Sequence, residues 1–280
     1  YELNKMIELE EQNLTILNTY KELAITKFKN GKGAMVDVIR IDIKRNESIT
    51  NIQLLKDKHL PLRVTFNNIL NRGVDETINI PSSLWVALND YSKSSDSLFT
   101  LNPKLVKLDK QRESLEAQKT VAKKEGYPMI GLGLDYSIIS KREVANLDMN
   151  GQDAIMPMLT VTLPIFRKKR KAAQKEVDFM LQATEYQQES VKNSLVSSFK
   201  IAQYDLEKAG KLIDLYSDQT GRTEQAIKLL LSNYSNSNTD FEEILRMNQD
   251  LLMYQTATAT ETKNQFKAQS KIDYLLSKEE

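Results

Sequence analysis

The chain has 280 residues, 40% hydrophobic and 28% charged, with 39 Lys and Arg against 38 Asp and Glu. This is enough for one large or two ordinary domains with much surface per residue, and the charge balance leaves no global field for nucleic acid, so any electrostatic function is local. The absence of cysteine removes disulfides, thiol nucleophiles and zinc-thiolate sites, and the single histidine, His59 in KDKHLPLR, argues against a His-based metal centre or a Ser-His-Asp triad.

No GxGxxG, GxxxxGK[ST] or HExxH occurs, and GLGLDYS at 131 alternates its glycines with apolar residues as a strand does. An enzyme is not expected, nor a cofactor or resident metal. No window approaches 18 consecutive apolar residues, which argues against a transmembrane helix. That test does not touch barrel strands, whose signal is about ten alternating residues.

In chain order, the pattern predicts a helix from about 2 to 29, a break at KNGKG and a helix from about 35 to 70, together a hairpin over 1–77. The chain opens at Tyr1 inside a helical pattern with no signal peptide, as expected of a processed or truncated piece. The mixture of proline, serine and aromatics that follows predicts an irregular connection over 78–101. Asn102 is then predicted to cap a helix with Pro103 at its first position, over 102–126, stopped by Gly126 and Pro128.

Two strands are predicted within 127–165. Ile130, Leu132, Leu134, Tyr136 and Ile138 alternate with Gly131, Gly133, Asp135 and Ser137, and Leu159, Val161, Leu163 and Ile165 oppose Met158, Thr160 and Thr162. Joined by a polar loop, they make a hairpin with one apolar and one small polar face. A soluble protein would cover that face, whereas a barrel wall between lipid and water fits the alternation better. Met129, Met149, Met156 and Met158 cluster around these strands; soft thioethers bind copper(I), but methionine is also a common apolar filler.

After LPIF come Arg167, Lys168, Lys169, Arg170 and Lys171, at the start of a helix. The positive end of the helix dipole disfavours exposed cations there by roughly 0.3–1 kcal/mol each, so something outside the helix should compensate. From Val191 the apolar positions Leu195, Phe199, Ala202, Leu206, Ala209, Ile213 and Tyr216 follow at spacings of three and four, a coiled-coil seam. The helix can run for nearly seventy residues, about 100 Å at 1.5 Å per residue. SNYSNSNTD then punctuates the chain, Asp240 and Glu243 suggest a capping box, and a second long helix closes a hairpin over 166–280. The expected fold is mainly α: long antiparallel coiled-coil hairpins in tandem repeat, with a small β-hairpin.

The two breaks superimpose at an offset of 206, FKNGKGAMVDVIR against YSNSNTDFEEILR, matching Phe28 with Tyr234, Asp37 with Glu243 and Arg40 with Arg246. Strand pair, proline, very long helix and a helical hairpin with an FKNGKG…DVIR tip, repeated in tandem, resemble the TolC-like outer membrane efflux proteins, over about one and a half of that family's two repeats. The resemblance implies a homotrimer whose strands close a barrel in the outer membrane and whose helices form a periplasmic tunnel, with most of this chain in the periplasm. It implies a passive conduit opened at the tips, partnered by a periplasmic adaptor, an inner-membrane pump and outer membrane lipids, with no nucleic acid. A soluble periplasmic coiled-coil scaffold or tether is the alternative.

By the same resemblance the gate positions are Phe28, Gly31, Asp37 and Arg40 in the first repeat, and Tyr234, Ser237, Glu243 and Arg246 in the second. Asp240, Glu242 and Glu243, repeated threefold, would draw cations to a mouth, or merely satisfy the helix dipole. Leu159, Val161, Leu163 and Ile165 would face lipid, with Pro164 and Arg167 to Lys171 at the inner boundary, where anionic headgroups are worth about 1 kcal/mol per basic residue; pairing with Glu176 and neighbouring helices is the other explanation. Without a first strand pair the chain is not expected to close a barrel, and its own strands are expected to be poorly ordered or packed in a non-native way.

Overall fold

The computed structural model describes residues 1–84, 86, 99, 101–141, 143, 151–236 and 241–277. Six helices and two strands are formed among them: α1 (Glu2–Lys29), α2 (Met35–Asp57), α3 (His59–Ile69), α4 (Pro103–Lys124), β1 (Met129–Ser137), β2 (Ala154–Thr162), α5 (Arg167–Asn236) and α6 (Phe241–Leu276). The fold is mainly α with a small β-hairpin. It divides into two compact units, Tyr1–Lys93 with Ser197–Glu280, and Ser94–Val196.

In the first unit, α1 turns back as α2 through a Schellman arrangement. The Lys32 N–H bonds to Lys27 O at 2.9 Å and the Gly31 N–H to Phe28 O at 3.0 Å, with Gly31 in the left-handed region at φ 69°. Those bonds satisfy the last carbonyls of α1 in the manner that favours glycine just past a helix end. α2 does not run on to residue 70 as expected. It stops at Asp57 and α3 restarts at His59, because Pro61 has no N–H to give to the Asp57 carbonyl and its ring crowds that oxygen. After α3 the chain is tied down by the fully buried Asn67, whose side chain donates to the carbonyls of Val74 and Glu76 at 3.0 and 2.9 Å.

The core of this unit lies at the hairpin tips. Leu17, Tyr20 and Ala24 of α1, Val38 and Ile41 of α2, Tyr234 of α5 and Phe241, Ile244 and Leu245 of α6 form one buried cluster. α2 and α6 begin at Met35 and Phe241, 206 residues apart, so the sequence repeat is also a structural one. α5 is 70 residues long. Leu195, Phe199, Ala202, Leu206 and Ala209 are buried on it and Val191, Ile213 and Tyr216 half-buried, which is the seam that the spacing predicts.

In the second unit, Asn102 caps α4 as expected, accepting the Lys104 N–H at 3.0 Å, with Pro103 in the first turn. β1 and β2 pair antiparallel from Met129 opposite Thr162 to Ser137 opposite Ala154. The strands form a regular ladder over these residues rather than the disorder expected as one of two outcomes. The ladder is shorter than the alternation: Leu163, Pro164 and Ile165 lie beyond it, because one rung further would set Leu163 against Pro128 and then Pro164 against Tyr127, and proline gives no ladder bond.

Candidate functional site

At the tips, the gate positions of the two repeats are brought into one unit but are not treated alike. Phe28 is 44% exposed and its counterpart Tyr234 only 2%. The Lys27 ammonium accounts for part of that difference: it donates to the Tyr234 carbonyl and lies 4.4 Å from the centre of the Tyr234 ring, a cation over a π face. Phe241 closes the aromatic group, 4.9 Å from Tyr234 and 5.7 Å from Tyr20 between ring centres. Burial pushes the Tyr20 hydroxyl up to about 12, and burial followed by the charge of Asp37 raises that of Tyr234. Both phenols are therefore neutral across the physiological range.

Each repeat sets an arginine one turn after an acid in the first turn of its descending helix. Arg40 is 4.0 Å from Asp37, and Arg246 donates to both carboxylate oxygens of Glu243 at 2.6 and 2.7 Å. Arg40 also reaches across to Glu242 at 3.0 Å. The charge that Glu242 and Glu243 would bring to a mouth is thus offset by neighbouring arginines. Ser237 and Asp240, and with them the suggested capping box, lie outside the described residues.

The strand pair carries the second candidate surface. The register sets Ile130 opposite Val161, Leu132 opposite Leu159 and Tyr136 opposite Ile155, so the apolar residues of both strands share one face. That face is open: Leu132 is 87% and Leu159 68% exposed. Met156 and Met158 fall on the other face, opposite Asp135 and Gly133, and Met129 stands opposite Thr162. Met149 lies outside the described residues.

The basic run opens α5, as the sequence indicates. Arg170 is half-buried and donates to the carbonyl of Gly126 at 3.3 Å, placing a cation just past the C-terminal end of α4, where the helix dipole welcomes it. It therefore ties the start of α5 to the end of α4. Lys168, Lys169 and Lys171 are exposed, and among the described residues Glu176 is not their ion-pair partner.

No family model matches the sequence, and no curated protein does. Solved structures match over 98% of the chain: the outer membrane protein VceC of Vibrio cholerae, with 15% identity, a TM-score of 0.81 and 66% of its length covered; the outer-membrane channel OprN, with 16%, 0.82 and 62%; and the open state of the Neisseria gonorrhoeae MtrE outer membrane channel, with 15%, 0.72 and 62%. The fold is that of the outer membrane channels. The chain spans less than two thirds of the length of each of these three proteins.

Within that channel fold, the sequence located both tips and the apolar strand face. It did not reveal the Lys27 to Tyr234 contact, the Arg40 to Glu242 pair or the use of Arg170 as a helix terminator. None of the three had a local signal: their partners lie 207, 202 and 44 residues apart.

Proposed function

We propose that the protein is the outer membrane channel component of a tripartite efflux system, a passive conduit that opens at its helical tips and performs no catalytic step. The observation that carries this reading is the open apolar face shared by β1 and β2 on a fold that solved outer membrane channels share. Apolar area of that kind is stabilised by lipid at roughly 25 cal/mol per Å² removed from water, and the alternation of apolar and small polar positions suits a wall between lipid and an aqueous lumen.

On this reading residues 1–77 form the first-repeat periplasmic hairpin, 78–101 an irregular connection, 102–126 a helix of the second repeat, 127–165 the strand pair and 166–280 the second-repeat periplasmic hairpin. Three copies of the full-length protein, with a further strand pair from each, supply the barrel, and a periplasmic adaptor and an inner-membrane pump meet the tips. Phe28, Gly31, Asp37, Arg40, Tyr234, Ser237, Asp240, Glu242, Glu243 and Arg246 make up the gate region. Leu159 and Val161 face lipid, and Lys168, Lys169 and Lys171 meet anionic headgroups near the inner boundary.

The test is membrane fractionation of the full chain together with accumulation of a fluorescent efflux substrate in a strain lacking it. Outer membrane localisation and restored efflux are expected. A monodisperse full-length monomer, soluble without detergent and unable to restore efflux, would favour the coiled-coil scaffold instead.

A further inference from the structure

α4 and the first part of α5 run side by side in opposite directions, and the contacts between them keep an even step. Gln188 donates to Asp109 at 2.8 Å, Lys119 pairs with Asp178 at 2.7 Å, and Arg170 donates to the Gly126 carbonyl at 3.3 Å. From Asp109 to Lys119 on one helix, and from Asp178 to Gln188 on the other, the step is ten residues. This register sets the last turn of α4, with Lys123 and Lys124, beside the first turns of α5, with Lys168, Lys169 and Lys171.

Away from this junction the facing groups match, an amide with a carboxylate and an ammonium with a carboxylate. At the junction they do not. Lys123, Lys124, Lys168, Lys169 and Lys171 are all exposed, and among the described residues none of them is held in an ion pair. The dipole at the end of α4 favours its two lysines, whereas the one at the start of α5 disfavours its three, and like charges gathered at one level repel. Arg170 finds its own answer in the Gly126 carbonyl. The five lysines are left to an anion from outside the chain.

The neighbouring side chains decide which anion. Tyr127, Leu163, Ile165 and Phe166 are exposed, next in the chain to the end of α4 or to the basic run. A free phosphate or a nucleic acid would leave them in water. A phospholipid brings acyl chain to the apolar side chains and phosphate to the lysines, and an aromatic such as Tyr127 suits the level where the two meet. Lysines in two sets, on two helix ends tied together by the Arg170 contact, match two phosphates rather than one.

We propose that Lys123 and Lys124 of α4, with Lys168, Lys169 and Lys171 of α5, form a single site for a phospholipid whose headgroup carries two phosphates, as cardiolipin does. This rests on the reading of the protein as an outer membrane component whose α5 lysines meet headgroups, and it adds the second set of lysines and the class of lipid.

The experiment places the full-length protein in nanodiscs of phosphatidylethanolamine with either cardiolipin or phosphatidylglycerol at equal total charge, extracts it in mild detergent and measures the lipid that stays bound. Cardiolipin should be retained about tenfold over phosphatidylglycerol. Lys123→Gln with Lys124→Gln should bring that ratio close to one, and so should Lys168→Gln with Lys169→Gln and Lys171→Gln, because either set alone serves one phosphate. Lys104→Gln with Lys107→Gln removes two exposed lysines from the other end of α4 and should leave the native ratio. A native ratio near one, or a ratio that falls as far in this control, would overturn the site, since diffuse surface charge does not distinguish the two lipids at equal total charge. A cardiolipin preference in a chain that fails to restore efflux would sink the conduit and uphold the site. A full-length chain that enters neither kind of nanodisc would sink the membrane reading and the site with it.

Discussion

Arg40 of the first hairpin and Glu242 of the second hold their charged groups 3.0 Å apart, an ionic link between two tips whose sequences are related by the internal repeat. The side chains are 40% and 63% exposed, so the pair is worth no more than about 1 kcal/mol and weakens with salt. Glu242→Gln should leave the unfolding transition nearly where it is. On the proposed reading as a gated conduit, it should raise the fraction of time the full-length protein is open in bilayers, and the difference from native should shrink between low and high ionic strength. Identical open fractions at low salt would remove this pair from the gate.

Phe241 is completely buried and touches the rings of both Tyr20 and Tyr234. Phe241→Ala removes the residue on which the aromatic group closes, and such truncations cost about 3–5 kcal/mol. Urea unfolding should show a loss of that size. Phe28→Ala is the control: its side chain is 44% exposed, and the change should stay within about 0.5 kcal/mol.

The contrast between those two positions also marks how far the sequence could be read. Both tips, the cap at Asn102, the seam from Val191 to Tyr216 and the apolar face through Leu132 and Leu159 rest on spacings of one to four residues, which periodicity and capping chemistry expose directly. The Lys27 to Tyr234 and Arg40 to Glu242 contacts join residues some two hundred positions apart, and no local pattern signals which of two related aromatics will be covered. The end of α2 at Asp57 is a different case: the apolar rhythm continues past it, and the missing N–H of Pro61 overrides that rhythm.

Glycine at the tip and glycine in the long helix should respond oppositely to the same change. A Cβ at Gly31 meets nothing within 4 Å, yet the residue sits at φ 69°, so Gly31→Ala should cost about 1–2 kcal/mol from backbone strain alone. Gly221 lies inside α5, and a Cβ there also meets nothing within 4 Å. Gly221→Ala should therefore stabilise the chain by about 0.4–1 kcal/mol. Thermal unfolding of the two variants beside native protein reads both signs, and a gain at Gly31 would contradict the left-handed turn.

The strand pair gives the most direct check on which surface meets lipid. Leu132 and Leu159 face each other across one rung of the ladder, both widely exposed, while Gly131 lies on the opposite face with Thr160 as its partner. A charge on the lipid side of a barrel costs about 2–4 kcal/mol near the midplane, so Leu132→Arg should reduce the amount of full-length protein recovered in the outer membrane. Gly131→Ser should be tolerated, because a Cβ there stands 3.7 Å from the Thr160 Cβ, an ordinary contact, and its hydroxyl would enter water. Quantifying both variants in isolated outer membranes separates the faces. Equal recovery would mean that this face does not stand near the lipid midplane, because it is there that the charge carries such a cost.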